Sequence, residues 1–72
     1  MMQPLTGKEL EYIADSMSNE DLLVKQGIVA LTHVHNPAVQ QLFQQSIKQN
    51  QQHYQQLLNT LQQHASIAPT MQ

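Results

Sequence analysis

The sequence predicts an all-α protein, an antiparallel two-helix hairpin that dimerises into a four-helix bundle. Three observations carry this prediction. Apolar residues recur at three- and four-residue steps along most of the chain, a helix-start signal lies near residue 6, and an Asn-Pro pair interrupts the pattern at its middle. Steps of three and four residues match the period of an α-helix, and the chain lacks the alternation typical of a β-strand.

The first helix is expected at about residues 7–35, after an N-terminal tail of residues 1–5. Thr6 and Glu9 have the spacing of a capping box, in which each side chain accepts a hydrogen bond from the other residue's backbone N–H at the helix start. The apolar stripe that follows comprises Leu10, Ile13, Met17, Val24, Ile28, Leu31 and Val34.

The second helix is expected at about residues 37–64. Asn36 is disfavoured in a helical conformation because Pro37 follows it, and proline suits the first turn of a new helix. The helical hairpin would therefore occupy residues 6–65, and residues 66–72, with the helix-stopping Pro69, would form a C-terminal tail. A two-residue break makes the helices antiparallel neighbours. The second apolar stripe comprises Val39, Leu42, Phe43, Ile47, Tyr54, Leu57, Leu58 and Leu61.

Dimerisation follows from the small size of the chain and the width of its apolar faces. A chain of 72 residues is marginal as a monomer, and the absence of cysteine leaves a metal or self-association as the usual remedy. Leu22, Leu23 and Leu58 widen the faces beyond a two-helix seam. Docking on a different protein and a swapped higher oligomer are the alternatives. The residues expected in the core or dimer interface are Leu10, Ile13, Met17, Val24, Ile28, Leu31, Phe43, Ile47, Tyr54, Leu57 and Leu61.

Composition excludes several classes of partner. The net charge is −2 with three lysines and no arginine, so no basic face for nucleic acid can form. No apolar run approaches the twenty residues of a membrane span, and the first ten residues do not resemble a signal peptide, so we expect the chain to be made and kept inside a cell. Eleven glutamines between Gln40 and Gln63 fall mostly between apolar positions, which indicates a neutral solvated helix face.

A polar layer is predicted halfway along the hairpin. A strict seven-residue repeat assigns two rows of residues on each helix, the inner rows, to the face that packs on the other helix. Glu20 falls in the inner rows of the first helix and Asn50 in those of the second. His53 lies one turn beyond Asn50, at the edge of this face. Glu20 lies 16 residues before Asn36 and His53 lies 16 residues after Pro37, so both fall at one height. A dimer would place two Glu20, two His53 and two Asn50 side chains in this layer.

Three interpretations of this layer stay open. Glu20 could pair with His53, or hydrogen-bond Asn50 or Tyr54, as a buried polar layer that sets register. Carboxylate and imidazole are also ligands for iron, manganese or zinc in helical bundles, although a dimer supplies only two of each where a full di-iron site takes four carboxylates and two histidines. The side chains could instead face outward.

No other residues form a convincing catalytic set. His33 and His35 are two residues apart, on different sides of a helix, which favours capping of the first helix's C-terminus over metal binding. His64 lies at the opposite end. The chain has no glycine-rich phosphate loop, and no serine has a base suitably placed beside it, so we expect a non-enzymatic protein with no obligatory cofactor.

Several features together resemble the spore-coat F family of endospore-forming bacteria. They are the opening "LTGKEL", the acidic Glu20, the Asn36–Pro37 turn, "LFQQ" at residues 42–45, and the polar "NQQH" at residues 50–53. The resemblance spans about residues 5–62, and it implies a ferritin-like helical fold. It also implies a structural spore-coat protein, located in the coat or cytoplasm of a spore-forming bacterium and in contact with other coat proteins.

The resemblance bears on the site as well. The ferritin-type ligand positions would fall on Glu20, Asn50 and His53, and Asn50 departs from the acid expected there, which favours a structural role. The alternative is a ferritin-like bundle with a degenerate Glu/His site for a divalent metal. The family setting further implies that glutamine and the lysines Lys8, Lys25 and Lys48 could be cross-linked enzymatically. A third hypothesis is an adaptor that completes another protein's bundle.

Overall fold

The chain folds into two α-helices joined by a short turn. The computed structural model describes residues 5–67, with side chains for residues 5–65. α1 spans Gly7–His33 and α2 spans Pro37–Ile67, and the described part of the chain contains no strand. The two helices contact each other along their length. Contacts of Glu20 with His53 and of Gly27 with Ile47 show that they run antiparallel. The predicted all-helical hairpin is therefore confirmed.

α1 begins with the predicted capping box. The Oγ1 atom of Thr6 accepts a hydrogen bond from the backbone N–H of Glu9 at 3.0 Å, and Oε1 of Glu9 accepts one from the backbone N–H of Thr6 at 2.9 Å. Two of the N–H groups that a helix leaves without partners at its start are thereby satisfied.

α1 ends at His33, two residues before its predicted end at about residue 35. Val34 is extended, with φ −98° and ψ 127°, and its N–H donates to the carbonyl of Ala30 at 3.0 Å. Gln40 reaches back from α2 and donates from Nε2 to the carbonyl of Val34 at 2.8 Å. The turn therefore satisfies backbone groups that a longer α1 would have paired within itself.

Asn36 caps the start of α2. Its Oδ1 accepts hydrogen bonds from the N–H groups of Ala38 at 2.9 Å and Val39 at 3.2 Å. Pro37 is the first residue of the helix, where its missing N–H costs nothing. α2 continues to Ile67, three residues beyond the expected end and into the expected tail, because no glycine or proline intervenes. The expected stop at Pro69 and the first four residues of the N-terminal tail lie outside the described residues.

The residues packed between the two helices, which form the seam, follow the predicted seven-residue repeat. Gly27 is buried, and the other members of the inner rows are half-buried except Tyr54, which is 37% exposed. Ile28, which was expected in the core or dimer interface, is 50% exposed and lies outside the seam of the single chain. The half-buried members are Leu10, Ile13, Met17, Glu20, Val24 and Leu31 in α1, Val34 directly after it, and Phe43, Ile47, Asn50, Leu57, Leu61 and His64 in α2.

The hairpin alone has no closed core. No apolar side chain among residues 5–65 is fully buried, because two helices cover only one side of each other. Neither described helix carries an apolar stretch of the length and hydropathy that a membrane span requires. Large apolar side chains that remain exposed are Tyr12, Leu22, Leu23, Ile28, Val29, Val39, Leu42 and Tyr54.

The Glu9 carboxylate of the capping box makes the stability of the hairpin depend on pH. The hydrogen bond from the backbone N–H of Thr6, followed by the contact with its side chain, lowers the pKa of Glu9 below its ordinary value of 4.5. A lowered folded-state pKa contributes stability above the unfolded value that is lost as pH falls through the folded one. Between about pH 5 and pH 3 the thermal midpoint should therefore fall more in the wild type than in Glu9→Gln. Equal falls in the two proteins would contradict this role of Glu9.

Candidate functional site

Glu20 is the acidic side chain of the seam. It lies on the face of α1 that packs against α2, one turn from Met17 and one turn from Val24, and its side chain is only 18% exposed. A carboxylate removed from water this far needs a hydrogen-bond donor or a cation beside it. A hydrogen-bond donor or a cation is therefore expected on α2 at the same height.

His53 is the partner of Glu20 on α2. Its Nδ1 lies 3.3 Å from Oε2 of Glu20, across 33 residues of sequence. The contact agrees with the equal distances of the two residues from the turn. The His53 side chain is 54% exposed, so the pair joins a shielded carboxylate to a solvent-accessible imidazole at the edge of the seam. The contact is an ion pair when the imidazole is protonated and a hydrogen bond when the neutral ring carries its proton on Nδ1.

Asn50 occupies the seam beside this pair without joining it. It is half-buried at its predicted inner position. The hydrogen bonds of the described residues link Glu20 to His53, and none of them links Glu20 to Asn50 or Tyr54. Of the arrangements predicted for this layer, the structure brings together Glu20 and His53.

The pair offers a metal ion one carboxylate and one imidazole. Within residues 5–65 no group of three or more histidine, aspartate or glutamate side chains is arranged to hold a metal ion. A di-metal carboxylate site in a helical bundle draws four carboxylates and two histidines from four helices. Two copies of the Glu20–His53 pair would supply two carboxylates and two histidines, so a dimer would still lack two of the four carboxylates of such a site.

Two of the other histidines, His33 and His64, make contacts near helix ends. Nδ1 of His33 lies 3.1 Å from the carbonyl of Val29 and 2.9 Å from Oγ1 of Thr32, in the last turn of α1. Nδ1 of His64 accepts a hydrogen bond from the backbone N–H of Leu5 at 3.0 Å. This second contact ties the segment before α1 to α2 at the open end of the hairpin. This contact was not predicted from the sequence, although the seven-residue repeat places His64 in the inner rows of α2.

The two sides of the seam differ. On one side, which we call the Tyr54 flank, an open groove runs between α1 and α2, lined by Ala14, Asp21, Gln51 and Tyr54 among others. The other side carries the Glu20–His53 contact, and we call it the His53 flank.

The His53 flank also bears a small apolar depression on α2. It is lined by Val39, Leu42, Phe43 and Ser46, in the half of the hairpin next to the turn. None of the four side chains is charged, so the depression suits an apolar side chain.

Fold and site together define a class, a small helical hairpin with a polar contact at mid-height and large apolar side chains left in solvent. Comparison of the chain with models of protein families, with curated proteins and with solved structures found no match.

Proposed function

We propose that the chain is a non-enzymatic structural protein that self-associates through its helices, as a two-fold dimer with a ferritin-like four-helix bundle. Its location would be the spore coat of an endospore-forming bacterium, in contact with other coat proteins. The support for assembly is the exposed apolar surface. The support for the coat location is the resemblance of residues 5–62 to the spore-coat F family.

One observation carries the assembly proposal: α1 is apolar all round between Leu22 and Leu31. Eight of these ten residues are apolar, and only Lys25 and Gln26 interrupt them. Val24 and Leu31 face α2, whereas Leu22, Leu23, Ile28 and Val29 are each 45% to 59% exposed. A helix that is apolar on every side is typical of a buried position. Further copies of the chain would supply the missing cover.

Sedimentation equilibrium across about 1 to 100 µM tests the assembly proposal, because a dimer with a dissociation constant in or below this range is populated at its upper end. The expected result is a mass of at least two chains at the upper end, with helix content and thermal midpoint rising with concentration. A helical, monomeric chain at every concentration would refute the proposal. Absence of the protein from purified spores of its source organism would refute the coat location.

A second candidate function is binding of a divalent metal such as iron, manganese or zinc by Glu20 and His53 from two chains. It is favoured by the 3.3 Å contact between a shielded carboxylate and an accessible imidazole. Protein purified without an affinity tag from metal-replete cells should then contain about one metal ion per dimer, lost in Glu20→Gln and in His53→Ala. His35→Ala, at an exposed position in the turn, is the matched control. A metal-free wild-type protein would eliminate this candidate.

A further inference from the structure

The exposed apolar side chains gather in one half of the hairpin. Six of the eight large ones lie between residues 22 and 42, in the half next to the turn. The opposite half of α2 presents mainly glutamine to solvent. Contacts with another copy are therefore expected near the turn, where burial of apolar surface provides the driving force.

Two of these side chains point away from α2. Leu22 lies two residues from both Glu20 and Val24, and each step along a helix turns the side chain by about 100°. Since Glu20 and Val24 face α2, Leu22 faces the opposite direction. Val29 lies seven residues further along, on the same line of the helix. Leu22 and Val29, 52% and 59% exposed, form what we call the outer patch.

A second group lies on the His53 flank. Leu23 is one turn from Glu20, whose carboxylate reaches His53 on that side. Val39 and Leu42 line the depression on α2, and His53 follows at the same helical spacing. Leu23, Val39 and Leu42 are 45%, 37% and 64% exposed. These three side chains form what we call the flank patch.

In the half of the hairpin next to the turn, the formally charged side chains lie on one flank. Between residues 22 and 53 the chain has two formally charged residues, Lys25 and Lys48. Lys25 pairs with Asp21, 2.9 Å away, and Asp21 lines the groove of the Tyr54 flank. Lys48 lies two helical turns before Gln55, which lines that groove too. Both lysines therefore lie on the Tyr54 side, and the flank patch has no lysine, aspartate or glutamate among its members.

We infer that the flank patch pairs two copies of the chain about a two-fold axis and that the outer patch joins these pairs into larger assemblies. A two-fold interface places a surface against itself, so a charged side chain near the axis would meet its own copy and be repelled by it. The uncharged flank patch avoids that repulsion. A partner seated against both helices on the flank leaves the outer patch, which faces away from α2, available for a further contact. The inference rests on the proposed self-association and specifies its two surfaces.

Single glutamates on the two patches test the inference. Leu42→Glu introduces a carboxylate on the flank patch and Val29→Glu introduces one on the outer patch, each at a side chain already exposed in the hairpin. Gln51→Glu on the Tyr54 flank, also at an exposed position, is the matched control for added negative charge. Sedimentation velocity measures the assembly, and circular dichroism at high concentration measures the helix content of each protein.

The expected results differ between the variants. Wild type and Gln51→Glu should form dimers and larger species. Val29→Glu should stop at the dimer with an affinity within about threefold of wild type. Leu42→Glu should weaken the dimer by about a hundredfold, because it places a carboxylate from each copy in an otherwise apolar interface.

Loss of dimers in Val29→Glu, or an unweakened dimer in Leu42→Glu, would overturn the inference while leaving self-association standing. Equal weakening by Gln51→Glu and Leu42→Glu would also overturn it, because the effect would then follow added charge and not position. A monomeric wild type would overturn the proposed function itself.

Discussion

Replacing Gly27 by leucine should destabilise the hairpin by about 3 kcal/mol, the upper end of the usual cost of overpacking a packed site. Gly27 is the buried residue of α1, and it lies against Ile47 of α2. A β-carbon built on it would lie 2.7 Å from Cγ1 and 3.2 Å from Cδ1 of Ile47. A leucine adds three more carbons in the same space, so the helices must separate and the seam on either side loses contact.

Alanine at the same position isolates the clash from the rest of the side chain. In a helix interior alanine is more favourable than glycine by about 1 kcal/mol, so Gly27→Ala combines a gain in helix propensity with a clash. We expect the clash to win and the free energy of unfolding to fall by about 1 kcal/mol. Gly7→Ala is the control, because a β-carbon there meets no atom within 4 Å, and it should stabilise the chain.

A double-mutant cycle checks the cause. Ile47→Ala removes both atoms that the new β-carbon would meet, so in that background Gly27→Ala should stabilise the hairpin by about 1 kcal/mol instead of destabilising it. Urea unfolding of the four proteins at one concentration gives the coupling. The same sign for Gly27→Ala in both backgrounds would show that the approach of the helices is not what requires glycine at this position.

The residues of the seam could be predicted from the sequence because they follow from local signals, namely helix-start motifs and the spacing of apolar residues. The two helix starts follow from the capping box at Thr6 and Glu9 and from the break at Asn36–Pro37. A seven-residue repeat then assigns Glu20 and Asn50 to the inner face. Equal distances from the turn predict the Glu20–His53 contact, since both helices rise by the same amount per residue.

Positions outside the seam were less accessible, for physical reasons. Periodicity shows that Ile28 belongs to a wide apolar surface, but it does not show whether the cover comes from the same chain or another. The end of α1 at His33 depends on Gln40 reaching back to the carbonyl of Val34, a contact between side chain and backbone across the turn. The hydrogen bond from Leu5 to His64 likewise joins residues 59 apart in sequence.

The largest gain in stability is expected from removing the polar layer. Full burial of a leucine side chain contributes about 1.5–3 kcal/mol relative to exposure, and the sites of Glu20 and Asn50 are only partly shielded in the single chain. Glu20→Leu combined with Asn50→Leu should therefore stabilise the hairpin by about 2 kcal/mol. For a domain of this size that raises the thermal midpoint by roughly 10 °C at fixed protein concentration.

Glu20→Gln is the matched control, since it keeps the shape of the side chain and an oxygen that can accept from His53. Its expected effect is within about 0.5 kcal/mol of zero, because His53 is largely in solvent and ion pairs with exposed partners contribute little. If the wild type is less stable than the double leucine variant, Glu20 and Asn50 cost stability. The polar layer would then act by fixing the register of the helices and the choice of partner, as single polar residues do in coiled coils. If the double leucine variant instead melts below the wild type, Glu20 belongs to a network that the folded assembly requires. Ligands from a second chain or a bound cation would then be its missing members, and the metal-binding candidate would gain over the purely structural one.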